Sequence, residues 1–374
     1  MKTQILPPNI NNIKYAADLL LNGNLVAIPT ETVYGLAANI FDDSALNNIF
    51  KVKNRPQDNP LIVHISSIKM LEQITNNISD TALRLMEAFW HGPLSIIFPK
   101  SEKISKIVTA GLDSVAVRMP SNPTALAIIE QSGVPLAAPS ANSSGYPSPT
   151  SAEHVYNDLQ GKIPLIIDGG NCEIGIESTV VKIENDNVII LRPGGITVEM
   201  IQNLNINVIL DKSVTSKTSN VSQPVSPGTK YKHYSPKATV IAIKGSIEDF
   251  ADYVNKQKGN GIYAVVFEGE ETYIKNFQTI DLIGNCAVQG RRPPLYEDTA
   301  RKDNDAMCSF RRGLLFFGKQ TEPLTQANLL YNILREIDDK KGEKIFIRCP
   351  KPERIGLAVY NRIIRAAESV IDFA

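Results

Sequence analysis

The chain has 374 residues, 43% of them hydrophobic and 21% charged, which is room for about two domains at roughly 150 residues each and excludes a disordered chain. Lys and Arg together number 39, as do Asp and Glu, so there is no bulk positive field to grip nucleic acid, and only a local basic cleft is left for that role. No apolar run reaches the ~18 residues of a membrane-spanning helix, and the opening MKTQILPPNINNIKYAADLL does not resemble a secretory signal, so the expected location is the cytoplasm.

Residues 24–29 (NLVAIP) read as a short buried strand. A polar turn follows, then a helical pattern at Ala45, Leu46, Ile49, Phe50 and Val52. Strand-like runs come next at 61–65, 94–98, 115–118, 136–138 and 165–167, interleaved with helical stretches at 80–90, 123–132 and 151–159. Residues 179–183 and 188–191 form an expected hairpin across Glu184 to Asn187. This alternation implies an α/β domain, taken as residues 1–210. Residues 211–236 are rich in Ser, Thr, Pro and Lys, bury too little apolar surface to fold on their own, and read as a linker. Its end, Tyr231 to Tyr234, carries aromatic and basic groups that a plain spacer does not need. A second, smaller α/β domain is expected over 237–374, with strands at 238–243, 262–267 and 345–347 and helices at 246–256, 325–337 and 354–369; residues 290–318 fit no period. The four cysteines (Cys172, Cys286, Cys308, Cys349) are far apart with no C-x-x-C, which points to reduced, buried or half-buried thiols rather than a disulfide framework or a zinc site. His91 and His154 read as ordinary surface or helix residues and Trp90 as core.

Four constellations could carry chemistry. In PTETVYGLAAN (29–39), Thr30, Thr32 and Tyr34 offer hydroxyls at a loop. In KVKNRPQDNPLIVHI (51–65), Lys53 and Arg55 end a predicted helix and point into one loop. That loop carries Asn59, and the following strand delivers His64. Two such cations beside a proline-shaped loop suit a bound polyanion, and a nucleoside triphosphate is the natural guest, since Arg offers a planar fork and Lys a point charge to phosphate oxygens. AAPSANSSGYPSP (137–149) runs a buried strand into small residues headed by Ser140 and Asn142, which let backbone N–H groups approach phosphates or hydroxyls help hold magnesium. Ser178, Arg192 and Arg118 complete the set at strand ends. Neither a Walker sequence nor a G-x-G-x-x-G turn is present.

PTETVYGL, K-x-R with R-P-x-D-N-P-L-I-V-H, VAVRMP, P-S-A-N-x-S-G and I-E-S-T-V-V, in this order and spacing, resemble the YrdC/Sua5 family of threonylcarbamoyl-AMP synthases over about residues 10–205. The SPGTKYKHYSP segment and the tail domain are similar to the longer Sua5 type. The resemblance implies a YrdC-like twisted mixed-sheet domain, a linker that serves as a lid, and a smaller Rossmann-like α/β domain. It implies condensation of L-threonine, bicarbonate and ATP, with Mg2+, to threonylcarbamoyl-AMP and pyrophosphate. Later transfer to tRNA (t6A) would involve downstream transferase proteins, with weak RNA binding as a further expectation. By resemblance the catalytic tetrad falls on Lys53, Arg55, Ser140 and Asn142. Threonine would be met by Thr32, His64, Arg118, Ala138 and Ser178, and ATP by Arg55, Asn59, Ser114, Ser140, Ser148, Arg192 and Tyr234, with no residue assigned as a direct metal ligand. Removing Lys53 or Arg55 is expected to spare folding and to remove most threonine-dependent pyrophosphate release. The rival readings are an RNA-binding module and a carbamoyl transferase of the hydrogenase-maturation kind, whose zinc-binding cysteine pairs are missing from this sequence.

Overall fold

The computed structural model describes residues 1–214, 234–280 and 312–373. The first domain is built on eleven strands: β1 Gln4–Leu6, β2 Val26–Ile28, β3 Gly35–Asn39, β4 Ile62–His64, β5 Leu94–Pro99, β6 Ser114–Arg118, β7 Leu136–Ala137, β8 Leu165–Ile167, β9 Thr179–Glu184, β10 Asn187–Arg192 and β11 Val208–Leu210. They form one mixed sheet in the order β1-β8-β2-β3-β7-β4-β6-β5-β9-β10-β11. Two features differ from the sequence expectation. The segment after Pro29 is not a loop throughout: Gly35–Asn39 is a strand paired antiparallel to β2, because Leu36, Ala37 and Ala38 are apolar enough to bury completely. The first 23 residues, whose pattern predicts no element, supply β1 and the helix Ile10–Leu21.

Helix Asp43–Lys53 shows how local sequence aims a functional group. Asp42 caps its start by accepting from the Ser44 and Ala45 amides, and Asn54 ends it in the left-handed conformation. Leu46, Ile49 and Phe50 lie on the buried side, and the same i, i+3, i+4, i+7 stripe reaches Lys53 one turn on. Lys53 is therefore carried into the interior, 1% exposed, rather than into solvent.

The second domain holds β12 Thr239–Lys244, β13 Ile262–Val266, β14 Gln278–Thr279, β15 Arg312–Phe316, β16 Lys344–Arg348 and β17 Ser369–Asp372. The order is β14-β15-β13-β16-β12-β17 and each pairing is parallel, the arrangement expected of a Rossmann-like sheet. Helices Ile247–Asn255, Pro323–Asp339 and Ile355–Ala366 accompany it. The last helix stops at Ala366 rather than 369, and Ser369–Asp372 turns back as an edge strand on β12. Part of the aperiodic 290–318 stretch is β15. Residues 281–311 are outside the described residues, as are Cys286 and Cys308; Cys172 and Cys349 are free thiols. Among the described residues no helix is long and apolar enough to cross a membrane.

Helices Pro323–Asp339 and Ile355–Ala366 pack on the first domain through buried polar groups. Arg335 pairs with Asp158 at 2.9 Å and donates to the Pro147 carbonyl. Tyr146 donates to Asp338 at 2.6 Å, and Asp338 also accepts from the Lys237 and Ala238 amides. Gly175, at φ +80°, lies so close to the first of these helices that a Cβ would sit 2.5 Å from the Asn328 Cα. The expected linker does not begin as a solvated tether: Lys212–Val214 is a helical turn with Ser213 and Val214 buried, and their carbonyls accept from Arg365 and Asn361.

Candidate active site

One cavity opens over the sheet face opposite the main core. Because β4 and β6 are parallel with His64 beside Arg118 and Ile62 beside Ala116, these four side chains and Ser114 share that face. A register shift between Ile190 and Arg192 lets Leu191 and Arg192 both serve it, as bulges do when they re-aim a side chain.

The cavity is lined by Thr32, His64, Arg118, Ala138 and Ser178, which were the expected threonine contacts, and by Ser140, Arg192 and Tyr234 from the expected ATP set. Arg118 is 4% exposed. It donates to the Thr32 hydroxyl at 2.8 Å and the Gly92 carbonyl at 3.3 Å, and pairs with Glu31 at 2.6 Å. Thr30 shapes the turn that delivers Thr32, accepting from the Thr32 and Val33 amides. Ser178 shares a hydrogen bond with Ser95 at 2.8 Å and accepts from Arg192 at 3.1 Å. The Nδ1 of His64 is 3.3 Å from the Ile62 carbonyl. A carbonyl only accepts, so this contact assigns the proton to Nδ1 and leaves Nε2 as an acceptor.

Lys53, Arg55, Asn59, Asn142, Ser114 and Ser148 are not on the cavity wall. Lys53 Nζ donates to the Ser140 carbonyl at 2.5 Å, the Asn142 carbonyl at 2.5 Å and Asn142 Oδ1 at 3.2 Å. Burial, then the Arg55 charge, holds its amine well below the usual lysine value; three acceptors nevertheless require all three ammonium protons. Lys53 thus clamps the 140–142 loop, with Ser140 donating to Asn142 Oδ1 at 2.6 Å. Removing it would take this donor from the Ser140 and Asn142 carbonyls, while Asn142 Oδ1 keeps the Ser140 hydroxyl, so a loss of stability is expected where the sequence reading expected folding to be spared. Arg55 is half-buried and donates to the Asn59 and Pro60 carbonyls at 3.3 and 2.9 Å; burial above all lowers its guanidinium to about 10, so it stays charged at neutral pH. Ser114 lies four residues from Arg118 on β6, about 13 Å along the strand, beyond a small apolar floor of Ile62, Ile97, Ala116, Val180 and Leu191. Tyr34 does not offer its hydroxyl to the site: it donates to the Gly170 carbonyl at 2.7 Å.

Sequence reasoning missed Glu31 and Glu177. Glu177 lines the cavity and accepts from Ser148 at 2.5 Å, and from Tyr331 and Arg362 of the second domain at 2.9 and 2.8 Å. Its position inside I-E-S-T-V-V was the one available signal. Among the described residues no group of three or more His, Cys, Asp or Glu gathers in a way that could hold a metal ion.

Two family models divide the chain between them: the Sua5/YciO/YrdC model, described as "Telomere recombination", matches residues 18–194, and one described as "Threonylcarbamoyl-AMP synthase, C-terminal domain" matches residues 196–368. A threonylcarbamoyl-AMP synthase of Bacillus subtilis is 40% identical over 98% of this chain and 95% of its own length. The chain belongs to the Sua5 family. A second relative with that name, from Pyrococcus abyssi, is 48% identical over 95% of this chain and 94% of its own. The crystal structure of P. abyssi Sua5 complexed with L-threonine superposes on this Sua5 chain with a TM-score of 0.81, at 35% identity in the structural alignment and full coverage of both chains.

The imidazoles of His64, buried, and His154, half-buried, have a consequence for stability. Burial, then the Arg118 charge, depresses His64 to about 3, and burial, then the Arg335 charge, does the same for His154. From about pH 6.5 downward the unfolded chain binds protons that the folded chain refuses, so stability falls with pH by up to about 1.4 kcal/mol per unit for each histidine. For carboxylates such as Glu31 and Glu177, burial is the largest single effect, but the arginine charges and hydrogen bonds around them together outweigh it and hold them below 4.5, so they add their own loss only below that value. Denaturant midpoints of the wild type and of H64Q/H154Q between pH 7 and 5 are expected to diverge, with the wild type losing more; parallel curves would refute the assignment.

Proposed function

We propose that this protein is a threonylcarbamoyl-AMP synthase, a nucleotidyltransferase that condenses L-threonine, bicarbonate and ATP. The observation that carries the reading is the cavity itself, where a buried guanidinium, Arg118, stands among Thr32, Ser178 and His64 and faces Arg192 and the Lys53-clamped Ser140 loop. Arg118 suits the amino acid's carboxylate, and the hydroxyls and the acceptor nitrogen of His64 suit its hydroxyl and amine. The amine attacks the carbon of bicarbonate to form a carbamate with loss of water. A carbamate oxygen then attacks the α-phosphorus, and pyrophosphate leaves. Arg55 and Arg192 supply charge toward the phosphates, so catalysis consists of positioning plus electrostatic stabilisation. The apolar floor toward Ser114 gives the adenine a surface to lie on. Magnesium enters as the counter-ion that ATP brings. Tyr234, 5% exposed and stacked on Tyr331 at 5.5 Å, covers one side of the cavity, which supports the lid reading for the segment that ends there; residues 215–233 lie outside the described residues. Passage of the adenylate to a transferase acting on tRNA, and a cytoplasmic location, belong to the same proposal.

Incubation with labelled bicarbonate, threonine and ATP tests it. Label is expected in an adenylate, with stoichiometric pyrophosphate, only when all three are present. Labelled adenylate without threonine, or none with all three, would overturn the reading.

A further inference from the structure

A carboxylate on the wall of a pocket meant for a triphosphate is electrostatically misplaced, and Glu177 is such a group. It lines the cavity together with Arg192 and Ser178. Ser148, an expected ATP contact, has its proton committed to Glu177 Oε1 at 2.5 Å. The carboxylate is met from the other side by the second domain. Arg362, 0% exposed, donates Nε to Oε2 at 2.8 Å and is locked by the Pro193 carbonyl at 2.8 Å and Asn361 at 3.0 Å. Tyr331 donates to the same carboxylate at 2.9 Å, and the guanidinium of Arg362 lies 5.5 Å from the Tyr234 ring centroid.

A buried ion pair of this kind contributes little net stability, because desolvation offsets the attraction. Its effect on a neighbouring polyanion is larger, since an uncancelled like charge in a poorly solvated pocket repels it. We infer that Arg362 is a positioning residue that cancels and fixes the charge of Glu177, so that the second domain sets the affinity of the first domain's pocket for the nucleotide phosphates. This rests on the ATP-dependent reading above. It explains why a fully buried arginine stands on the helix Ile355–Ala366 and reaches across the domain boundary to a residue 185 positions earlier.

Steady-state kinetics of the full chain test it. R362Q is expected to raise KM for ATP about ten- to a hundredfold, roughly one to two steps of 1.4 kcal/mol, with KM for threonine changed less than about threefold. In E177Q/R362Q, where neither charge remains, KM for ATP is expected to return to within about threefold of wild type, a rescue that loss of packing would not produce. An R362Q variant with the wild-type KM for ATP, or a double variant as impaired as R362Q, overturns the inference. If R362Q does not fold, E177Q alone decides: removing the anion lowers KM for ATP, and a tenfold rise refutes the idea. A wild-type protein without threonine-dependent ATP turnover fails the functional reading instead, so the two failures are separable.

Discussion

Lys53→Ala is expected to reduce threonine-dependent pyrophosphate release by about 10²- to 10³-fold, the scale of losing a preorganised electrostatic element, and to destabilise the first domain as well. The ammonium holds two carbonyls and one amide oxygen of the 140–142 loop; the amide oxygen keeps the Ser140 hydroxyl, but the two carbonyls would lose this donor, at about 1–3 kcal/mol each before relaxation. A total near 3 kcal/mol would lower the melting temperature by roughly 6–12 °C in a domain of this size. Arg55→Ala gives the contrast. Its side chain is half-buried and, among the described residues, donates to the carbonyls of its own loop, so turnover is expected to fall with little change in melting. Pyrophosphate assays beside thermal melts of the two variants check this; a Lys53→Ala protein with wild-type turnover or an unshifted melt would mean that the ammonium does not hold the 140–142 loop in its working shape.

Arg118→Gln is expected to raise KM for threonine about 10²- to 10³-fold, because truncating one partner of a buried charged contact costs about 2–5 kcal/mol, while KM for ATP changes little. Glu31 supplies a second readout. It is 3% exposed and paired to Arg118 at 2.6 Å, so Arg118→Gln leaves a buried carboxylate without its counter-charge and lowers stability. Adding Glu31→Gln is expected to recover the melting temperature but not the threonine affinity. Recovery of both would mean that Arg118 serves the fold and not the substrate.

Much of the site was readable because its residues sit in short motifs at strand ends, where one chain segment decides both identity and direction. Thr32, His64, Arg118, Ser178 and Arg192 converge on one cavity: strand period and register bring His64 and Arg118 to one sheet face, while the turn after β2, the start of β9 and the bulge in β10 deliver Thr32, Ser178 and Arg192. The hairpin of β9 and β10 and the helix over 123–132 were legible for the same local reason. Short apolar strands gave less. Gly35–Asn39 follows hydroxyl-rich residues and begins with glycine, so its pairing with β2 depends on burial between neighbours and not on its own pattern. Ser369–Asp372 likewise becomes a strand only because β12 offers it an edge.

Lys53 marks the boundary between the two kinds of information. Its identity and its place on the Leu46, Ile49, Phe50 stripe are written in the chain, and that spacing already dictates an inward direction. That it would meet three oxygens from a loop 87 to 89 residues away is not written there. The same holds for Glu177, whose partners Tyr331 and Arg362 lie on helices of another domain. Spacing along a chain sets which way a side chain leaves its own helix or strand, since backbone geometry is local. What waits at the far end is chosen by how separate elements pack, and a buried charge must find its counterpart there or forgo burial.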